Sequence, residues 1–248
     1  RLRQRVTDLV VHPEAGTLLV ARSKIVSAVR RTLDHAYFTE VETPILQTVH
    51  GGASARPFKT FSNTYGMDLS MRIAPELYLK RLVTSGLGAV YEVGRNFRNE
   101  GADATHNPEF TALEAYQPFA DYNDMRRLAQ ELVLAAATAV YDAPLLPLHT
   151  NGSSVLTDVS APWPAVAVID AVSEAVGHDV SVATPASELA LIAQAHHVQV
   201  RPEATSGQII EELYGELVEP QTIAPTFYCD FPTDSSPLAA PHRSQPGL

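Results

Sequence analysis

The sequence lacks the features that several classes of protein require. It contains one cysteine, Cys229, which excludes an internal disulfide and a cysteine-rich zinc site. No apolar run approaches the ~18 residues of a transmembrane helix, and residues 1–5 do not begin an apolar signal peptide. We therefore expect a chain from a reducing, cytosolic compartment, in which Cys229 is buried rather than reactive.

Positive charge is also scarce. The net charge is −10, and residues 124–248 contain 4 Lys or Arg against 15 Asp or Glu, whereas residues 1–123 are nearly balanced. A protein that grips the phosphate backbone of a nucleic acid usually presents a broad cationic surface. If a nucleic acid is a partner, we expect these residues not to supply most of its affinity. Isolated cations in the first half could still hold a small anionic ligand.

What the sequence does contain is typical of a globular fold, with 45% hydrophobic and 19% charged residues. Helical and strand patterns occur without strict βαβ alternation, which favours an α+β fold with an antiparallel sheet flanked by helices. The predicted helices are 17–35, 75–85, 122–140, 166–176, 186–196 and 208–217. The predicted strands are 39–43, 90–98, 110–119 and 224–230. Residues 142–165 contain four prolines and are predicted to form a linker or an extended surface segment.

Two of these strands carry the residues most suited to chemistry, and residues 99–107 form a polar loop between them. Strand alternation places alternate residues on one face. On the first strand these are Glu92, Gly94, Asn96 and Arg98; on the second they are Phe110, Ala112, Glu114 and Tyr116. If the two faces coincide, one surface offers a guanidinium for an anion, a ring for a base and carboxylates for a cation.

A purely structural interpretation stays open for each of these residues. Arg–Glu pairs on antiparallel strands are often ion pairs on a solvated face, worth ~0.2–1 kcal/mol. Phe110 and Tyr116 could be core residues of the sheet. His196 and His197, with no cysteine nearby, are interpreted as a polar helix end rather than a metal site.

Several longer segments resemble the class II aminoacyl-tRNA synthetases, and within them the lysyl-tRNA synthetases. Residues 37–44 resemble the first motif of that class, a helix and strand ending at proline, and residues 95–116 resemble its second motif. Four further segments are similar to the lysine enzymes; they are residues 51–58, 72–80, 217–220 and 236–238. The resemblance covers residues 1–248 and is weakest over 142–205.

The resemblance implies a role for particular residues. Arg98 would bridge the ATP α-phosphate and the lysine carboxylate, and Phe110 would stack on adenine. The loop would hold the base and the distal phosphates; the residues are Glu100, His106 and Asn107. The remaining residues would hold the two amino groups of lysine, the α-amino group through Gly52 and Glu76 and the ε-ammonium through Glu114 and Tyr116.

The implied activity is the ATP-dependent activation of L-lysine to lysyl-adenylate, followed by transfer of lysine to tRNA(Lys). ATP is a substrate and Mg²⁺ is the implied cofactor. The family's metal ligands and a second ATP-binding arginine are expected beyond Leu248, so we predict one catalytic domain over 1–248 that is incomplete at its C-terminal end. No metal ligand is assigned within these residues.

The resemblance also implies a homodimer, with the helix at 18–35 in its interface. The alanine-rich composition and residues 84–86 resemble the synthetase module of bacterial lysylphosphatidylglycerol synthetases, in which Lys-tRNA supplies a fused membrane transferase domain. The expected location is the cytoplasm, or the cytosolic face of the membrane in such a fusion. The Lys-tRNA would serve lipid modification or translation.

Two alternatives remain at this point. One is a synthetase paralogue that transfers lysine to a translation factor instead of tRNA. The other is a catalytically dead, synthetase-like scaffold domain, in keeping with the absence of the family's third motif from these residues. Lysine-dependent exchange between ATP and pyrophosphate separates the scaffold from the enzymes.

Overall fold

The structure, a computed structural model, describes residues 5–103, 105–150, 152–236, 239–245 and 247–248. Residues 1–4 and 237–238, which belong to segments of the family resemblance, lie outside the described residues. The chain divides into two compact units, residues 1–142 and 143–248. Each unit has its own hydrophobic cluster and is described by itself.

The helices of the first unit are α1 (Arg5–Val11), α2 (Pro13–His35), α3 (Glu76–Thr84) and α4 (Tyr122–Tyr141). The prediction that α2 begins at Thr17 is wrong, because Pro13 supplies the fixed φ that suits a first helical turn. Thr17 instead donates to the carbonyl of Glu14 within the helix, at 2.6 Å. The predicted cap of α4 is confirmed: the Asp121 carboxylate accepts from the backbone of Asn123 and Asp124.

The strands of the first unit form two sheets. They are β1 (Thr39–Glu40), β2 (Leu46–Gln47), β3 (Lys59–Ser62), β4 (Met67–Met71), β5 (Val90–Phe97) and β6 (Glu109–Tyr116). One sheet has the order β1-β5-β6, with β5 and β6 antiparallel and β1 parallel to β5. The other has the antiparallel order β2-β4-β3. Helices and mainly antiparallel sheets confirm the predicted α+β class.

The predicted strand at 39–43 is shorter in the structure. Only Thr39 and Glu40 form the strand, although the amide of Val41 still donates to Tyr91. The backbone N–H of Thr43 donates to the side chain of Glu92 at 3.2 Å instead of to a neighbouring strand. This side-chain partner diverts the backbone from the sheet just before Pro44.

The core of the first unit lies between the β5–β6 hairpin and the helices α2 and α4. Its buried residues are Leu33, Phe38, Tyr91 and Leu128. Odd-numbered residues of both strands, such as Val93 and Leu113, pack against this cluster. Because side chains alternate along a strand, the even-numbered face of the hairpin is directed away from this core. That face carries the predicted site.

The second unit contains three helices, four strands and two short helical turns in its described residues. The helices are α5 (Val168–Val176), α6 (Ala186–Ala195) and α7 (Ser206–Leu213), followed by a π-helical turn (Tyr214–Val218) and a 3₁₀ turn (Glu219–Gln221). The strands are β7 (Leu145–Thr150), β8 (Ser153–Asp158), β9 (Ala165–Ala167) and β10 (Phe227–Cys229). β7 and β8 pair antiparallel, and β9 and β10 pair parallel.

Several boundaries of the second unit differ from prediction. Residues 142–165 are not a linker, because β7 and β8 form a paired hairpin there. The other interpretation, an extended surface segment, fits β8, in which every residue except Thr157 is exposed. Val166 and Ala167 belong to β9 rather than to the predicted helix at 166–176, which begins at Val168. Helix α7 begins at Ser206, two residues before the predicted start, because Thr205 caps it by accepting from the backbone of Gln208.

Two smaller predictions concern single residues of this unit. Cys229 is only half-buried, and its thiol lies 3.6 Å from the carbonyl of Val166, so the prediction that it is buried is wrong. His196 and His197 form the end of α6, with His197 in the left-handed conformation, which confirms the interpretation as a helix end.

Candidate active site

The register of the β5–β6 hairpin brings the two predicted faces together. Glu92 lies opposite Glu114, Gly94 opposite Ala112, and Asn96 opposite Phe110. Beyond the strand ends, the amide of Arg98 donates to the carbonyl of Pro108 at 2.9 Å and extends the pairing by one step. The prediction that the even-numbered residues of both strands share a face is therefore confirmed.

The alternative interpretation, an ion pair on a solvated face, applies to the opposite face. Arg95 and Glu109 are both more than half exposed, and their side chains form an ion pair of 3.4 Å. An exposed pair of this kind contributes little to stability. Arg98 and Glu114, on the even-numbered face, form no ion pair with one another.

One end of the even-numbered face opens into a cavity of about 220 Å³. The five residues predicted to bind ATP all line it; they are Arg98, Glu100, His106, Asn107 and Phe110. The Arg98 guanidinium carbon lies 5.1 Å from the centre of the Phe110 ring, a cation–π distance. The cavity thus combines a cation, a ring and polar loop residues, the set that a nucleotide phosphate and base require.

The loop beside this cavity is ordered by Asp103. Its carboxylate accepts from the backbone amides of Thr105 and His106, each at 2.7 Å, and lies 2.9 Å from Nδ1 of the His106 ring. These hydrogen bonds, first those from the two backbone amides and then that from the ring, hold the pKa of the Asp103 carboxyl well below its ordinary range. The contact with Nδ1 fixes the orientation of the His106 ring at the cavity.

Glu100 is held at the other side of the loop. One of its carboxylate oxygens accepts from the backbone amide of Arg56 at 3.4 Å, and the amide of Asn99 donates to the carbonyl of Arg56 at 2.7 Å. These contacts connect the loop to residues 51–58, which the family resemblance also includes. Asn107 is exposed and lines the same cavity.

The other end of the face collects carboxylates around a phenol. Tyr116 donates to the Glu114 carboxylate at 2.9 Å, and both side chains are half-buried. Burial raises the pKa of the Glu114 carboxyl; the hydrogen bond from Tyr116 lowers it in part, and the charge of Glu76 raises it further. Burial, and then the charge of Glu114, also raises the pKa of the Tyr116 phenol. Such a half-buried carboxylate gains most from a cationic partner.

Gly52 and Glu76 lie close together beside these residues. Gly52 has a φ of 89°, and a Cβ atom added there would lie 3.0 Å from Cβ of Glu76. Only glycine adopts this conformation readily and leaves room for the approach. The Glu76 carboxylate accepts from the Lys80 ammonium at 2.5 Å, and that ammonium lies 5.9 Å from the centre of the Tyr116 ring. The four residues predicted to hold the amino groups of lysine therefore surround one region.

A buried network that was not predicted from the sequence lies on the same face, between its two ends. The Arg72 guanidinium, with a relative exposure of 1% for the residue, forms an ion pair with Glu92 and donates to the Arg95 carbonyl at 2.8 Å. It also donates to the hydroxyl of Thr43 at 3.1 Å, and that hydroxyl donates to Glu92 at 2.7 Å. The charge of Arg72 lowers the pKa of Glu114 in part.

One signal in the sequence could have revealed this network. Gly94 lies in the middle of a strand, where glycine often marks a close approach by another group. A Cβ atom at this position would lie 2.1 Å from Nη2 of Arg72. Glycine is thus required because the guanidinium of Arg72 lies against the strand.

The described residues do not fit a site for Mg²⁺. Among residues 5–103, 105–150, 152–236, 239–245 and 247–248, no group of three or more His, Cys, Asp or Glu side chains could hold a metal ion. Within the same residues, no helix combines the length and the apolar composition that a membrane crossing requires.

A family of known proteins matches nearly the whole chain. The family described as "tRNA synthetases class II (D, K and N)" matches residues 1–247, and the chain belongs to that family. The predicted class II synthetase-like fold is therefore confirmed.

Among curated proteins, the chain is similar to the "lysylphosphatidylglycerol biosynthesis bifunctional protein LysX" of several organisms. It is 49% identical to the protein of Gordonia bronchialis, 50% to that of Mycobacterium marinum and 49% to that of Mycobacterium tuberculosis. All of this chain is covered in each case, but only 22% of each relative. The resemblance to the synthetase module of such fusions is confirmed, and the chain spans about a fifth of the length of these relatives.

Proposed function

We propose that this chain activates L-lysine with ATP to form lysyl-adenylate and transfers the lysine to tRNA(Lys). The observation that carries the proposal is the single face of the β5–β6 hairpin. At one end Arg98 and Phe110 line a cavity, and at the other a half-buried carboxylate, Glu114, is paired only with the neutral phenol of Tyr116 among its described hydrogen-bond partners.

The lysine end of the face supports recognition by charge. A substrate ammonium has three N–H donors, and the carboxylate of Glu114 with the phenol oxygen of Tyr116 offers acceptors for them. Glu76 and the carbonyl of Gly52 would accept from the α-amino group, with Glu76 exchanging its contact with Lys80 for one with the substrate. An uncharged analogue would leave the half-buried Glu114 without a cation, which is the basis of the proposed selectivity.

The nucleotide end supports an in-line transfer that needs no protein nucleophile. A carboxylate oxygen of lysine attacks the α-phosphorus of ATP, the bond to pyrophosphate breaks, and lysyl-adenylate forms. A ribose hydroxyl of tRNA then attacks the lysyl carbonyl, and AMP leaves. Arg98 would hold the carboxylate and the α-phosphate together and neutralise charge, while Phe110 would fix the base; positioning and electrostatics supply the catalysis.

The relatives support a particular pathway for the product. Their name assigns them to lysylphosphatidylglycerol biosynthesis as bifunctional proteins. We therefore propose that the Lys-tRNA supplies a lipid-modifying transferase rather than translation, in a fusion located at the cytosolic face of the membrane. ATP, L-lysine and tRNA(Lys) are the proposed substrates, with Mg²⁺ bound by residues other than those described.

A homodimer is part of the same proposal. The first half of α2 exposes a run of apolar side chains, with Leu18, Leu19 and Val20 at 72%, 56% and 59% exposure. An exposed apolar patch of this kind is typical of a protein interface. The mass of the full-length natural protein in solution, measured by light scattering, tests this point; a monomer at micromolar concentration would contradict it.

Exchange of pyrophosphate into ATP by the full-length natural protein tests the proposed activity. We expect exchange that depends on lysine and is at least tenfold weaker with norleucine, which lacks the ε-ammonium. Incorporation of lysine into tRNA would follow. Exchange without incorporation into tRNA, but with incorporation into a protein, would favour the paralogue that lysylates a translation factor. Absence of lysine-dependent exchange would favour the scaffold.

A further inference from the structure

Two buried side-chain atoms on the site face have no hydrogen-bond partner among the described residues. They are the amide oxygen Oδ1 of Asn96 and the guanidinium nitrogen Nε of Arg98. Asn96 is 2% exposed, so solvent does not easily replace the missing partner. Buried polar atoms without a partner are rare in folded proteins, because the lost hydrogen bond costs free energy. Two such atoms at one site require an explanation.

The two atoms are chemically complementary and lie on the same face. Asn96 and Arg98 are two residues apart at the end of β5, where alternate side chains are neighbours. Oδ1 accepts a hydrogen bond and Nε–H donates one. In the observed arrangement the two atoms are not hydrogen-bonded to one another.

The ring of Phe110 accounts for the position of Arg98. Asn96 lies directly opposite Phe110 in the hairpin register, and the guanidinium carbon of Arg98 lies 5.1 Å from the ring centre. Stacking on the ring holds the guanidinium by a cation–π contact. The proposed function assigns the adenine base to this same ring.

We propose that Asn96 is a positioning residue for Arg98: when the base of a nucleotide takes the face of Phe110, Arg98 leaves the ring and its Nε donates to Oδ1 of Asn96. The inference rests on the proposed function, since it assumes a nucleotide at Phe110. With Nε anchored on Asn96, the two terminal nitrogens of Arg98 face the cavity as a planar fork. That fork suits two oxygens, one from the α-phosphate and one from the substrate carboxylate.

A double-mutant cycle on the full-length natural protein tests the pair. Asn96→Leu removes the acceptor and keeps the branching and the number of side-chain heavy atoms. Arg98→Lys keeps the charge but removes the Nε donor and the fork. The four proteins are compared for ATP affinity by calorimetry without lysine, and for lysine-dependent exchange of pyrophosphate into ATP. Asn63→Leu, on the exposed turn between β3 and β4, controls for the added leucine.

We expect the loss of ATP affinity caused by the Asn96 substitution to depend on the residue at position 98. Asn96→Leu weakens ATP binding by about tenfold to a hundredfold in the Arg98 background and by less than about twofold in the Arg98→Lys background. A loss of ATP affinity of equal size in both backgrounds, or no loss in either, would overturn the proposed hydrogen bond between Asn96 and Arg98. Asn96→Ala removes the same acceptor without adding apolar bulk and completes the cycle if the leucine variant does not fold.

ATP affinity and lysine-dependent exchange test the Asn96–Arg98 hydrogen bond and the proposed function separately. If the two substitutions are coupled in ATP affinity but the unmodified protein shows no lysine-dependent exchange, lysine activation is rejected and the Asn96–Arg98 hydrogen bond is supported. Lysine-dependent exchange without coupling would support lysine activation and reject the pair. Absence of ATP binding by the unmodified protein would reject both.

Discussion

Glu114 is the residue on which the proposed selectivity for lysine depends. Its carboxylate is half-buried, accepts from Tyr116 at 2.9 Å and lies within the electrostatic influence of Glu76 and Arg72. A carboxylate in this setting is costly to keep charged unless a cation reaches it. A substrate ammonium would be that cation.

Glu114→Gln is expected to raise the KM for lysine by about tenfold to a hundredfold and to change the KM for ATP by less than about threefold. The amide keeps the shape but loses the charge that an ammonium requires, and charged hydrogen bonds are worth ~1.5–3 kcal/mol. Steady-state exchange of pyrophosphate into ATP measures both constants. Glu109→Gln on the same strand, exposed on the opposite face, is the matched control. Equal losses for lysine and ATP would assign Glu114 a structural role.

The pH dependence of lysine use offers a second check on Glu114. Its pKa is raised above the ordinary value of 4.5, so the carboxylate becomes protonated at a higher pH than an exposed glutamate would. Because the charged form binds the ammonium, kcat/KM for lysine should fall as the pH drops through that raised pKa. The Glu114→Gln variant should lack this fall in kcat/KM at acidic pH. An unchanged acidic limb in the variant would assign it to another group.

Arg98→Ala is expected to lower the rate of lysyl-adenylate formation by at least about a thousandfold, because one guanidinium is proposed to hold both reacting groups. Single-turnover formation of the adenylate measures the rate directly. Arg95→Ala, three residues away, with an exposed side chain on the opposite face, should leave the rate within about twofold. Adenylate formation by the Arg98 variant at a comparable rate would refute the assigned role.

At the scale of elements, the β5–β6 hairpin connects the site to the buried network of Arg72, Glu92 and Thr43. Gly94→Ala would place a Cβ atom 2.1 Å from Nη2 of Arg72, so the guanidinium or the strand must move. We expect a loss of about 1–3 kcal/mol in the free energy of unfolding, typical of overpacking, measured by denaturant titration. Gly16→Ala in α2, with nothing within 4 Å of the added atom, should be neutral or stabilising. Equal effects of the two substitutions would contradict the close approach.

The arrangement of the β5–β6 hairpin could be predicted from the sequence because the residues that determine it are close together in the chain. The period of two along each strand sorts Arg98, Phe110 and Glu114 onto one face, and a polar loop of suitable length implies antiparallel pairing. The family resemblance then assigns roles to the loop residues. The capping role of Asp121 could be predicted for the same reason, because Asp121 directly precedes the helix that it caps.

The buried network could not be predicted because its members are distant in sequence. Thr43, Arg72 and Glu92 come from three segments, and their meeting depends on how two sheets pack. The hairpin of β7 and β8 was missed for a different reason. Its prolines suggested a linker. Pro147 nevertheless lies in β7, which pairs with β8 on one side only, and an edge strand of this kind tolerates a missing backbone N–H.

At the scale of the whole molecule, the charge distribution limits what these residues do with tRNA. Residues 124–248 carry 15 acidic against 4 basic side chains, which does not attract a phosphate backbone. We expect the 248-residue chain by itself to bind tRNA(Lys) with a Kd weaker than about 1 μM at physiological salt, in the range of non-specific binding. Filter binding with labelled tRNA measures this. A Kd in the nanomolar range would show that the chain supplies the affinity itself.

The central claim is that one face of one hairpin holds both substrates of lysine activation. The structure of the full-length natural protein with lysine and a non-hydrolysable ATP analogue tests it most directly. The account predicts the ε-ammonium within hydrogen-bonding distance of Glu114 and Tyr116, the adenine stacked on Phe110, and Arg98 between the lysine carboxylate and the α-phosphate. Lysine or the nucleotide bound away from this face would contradict it.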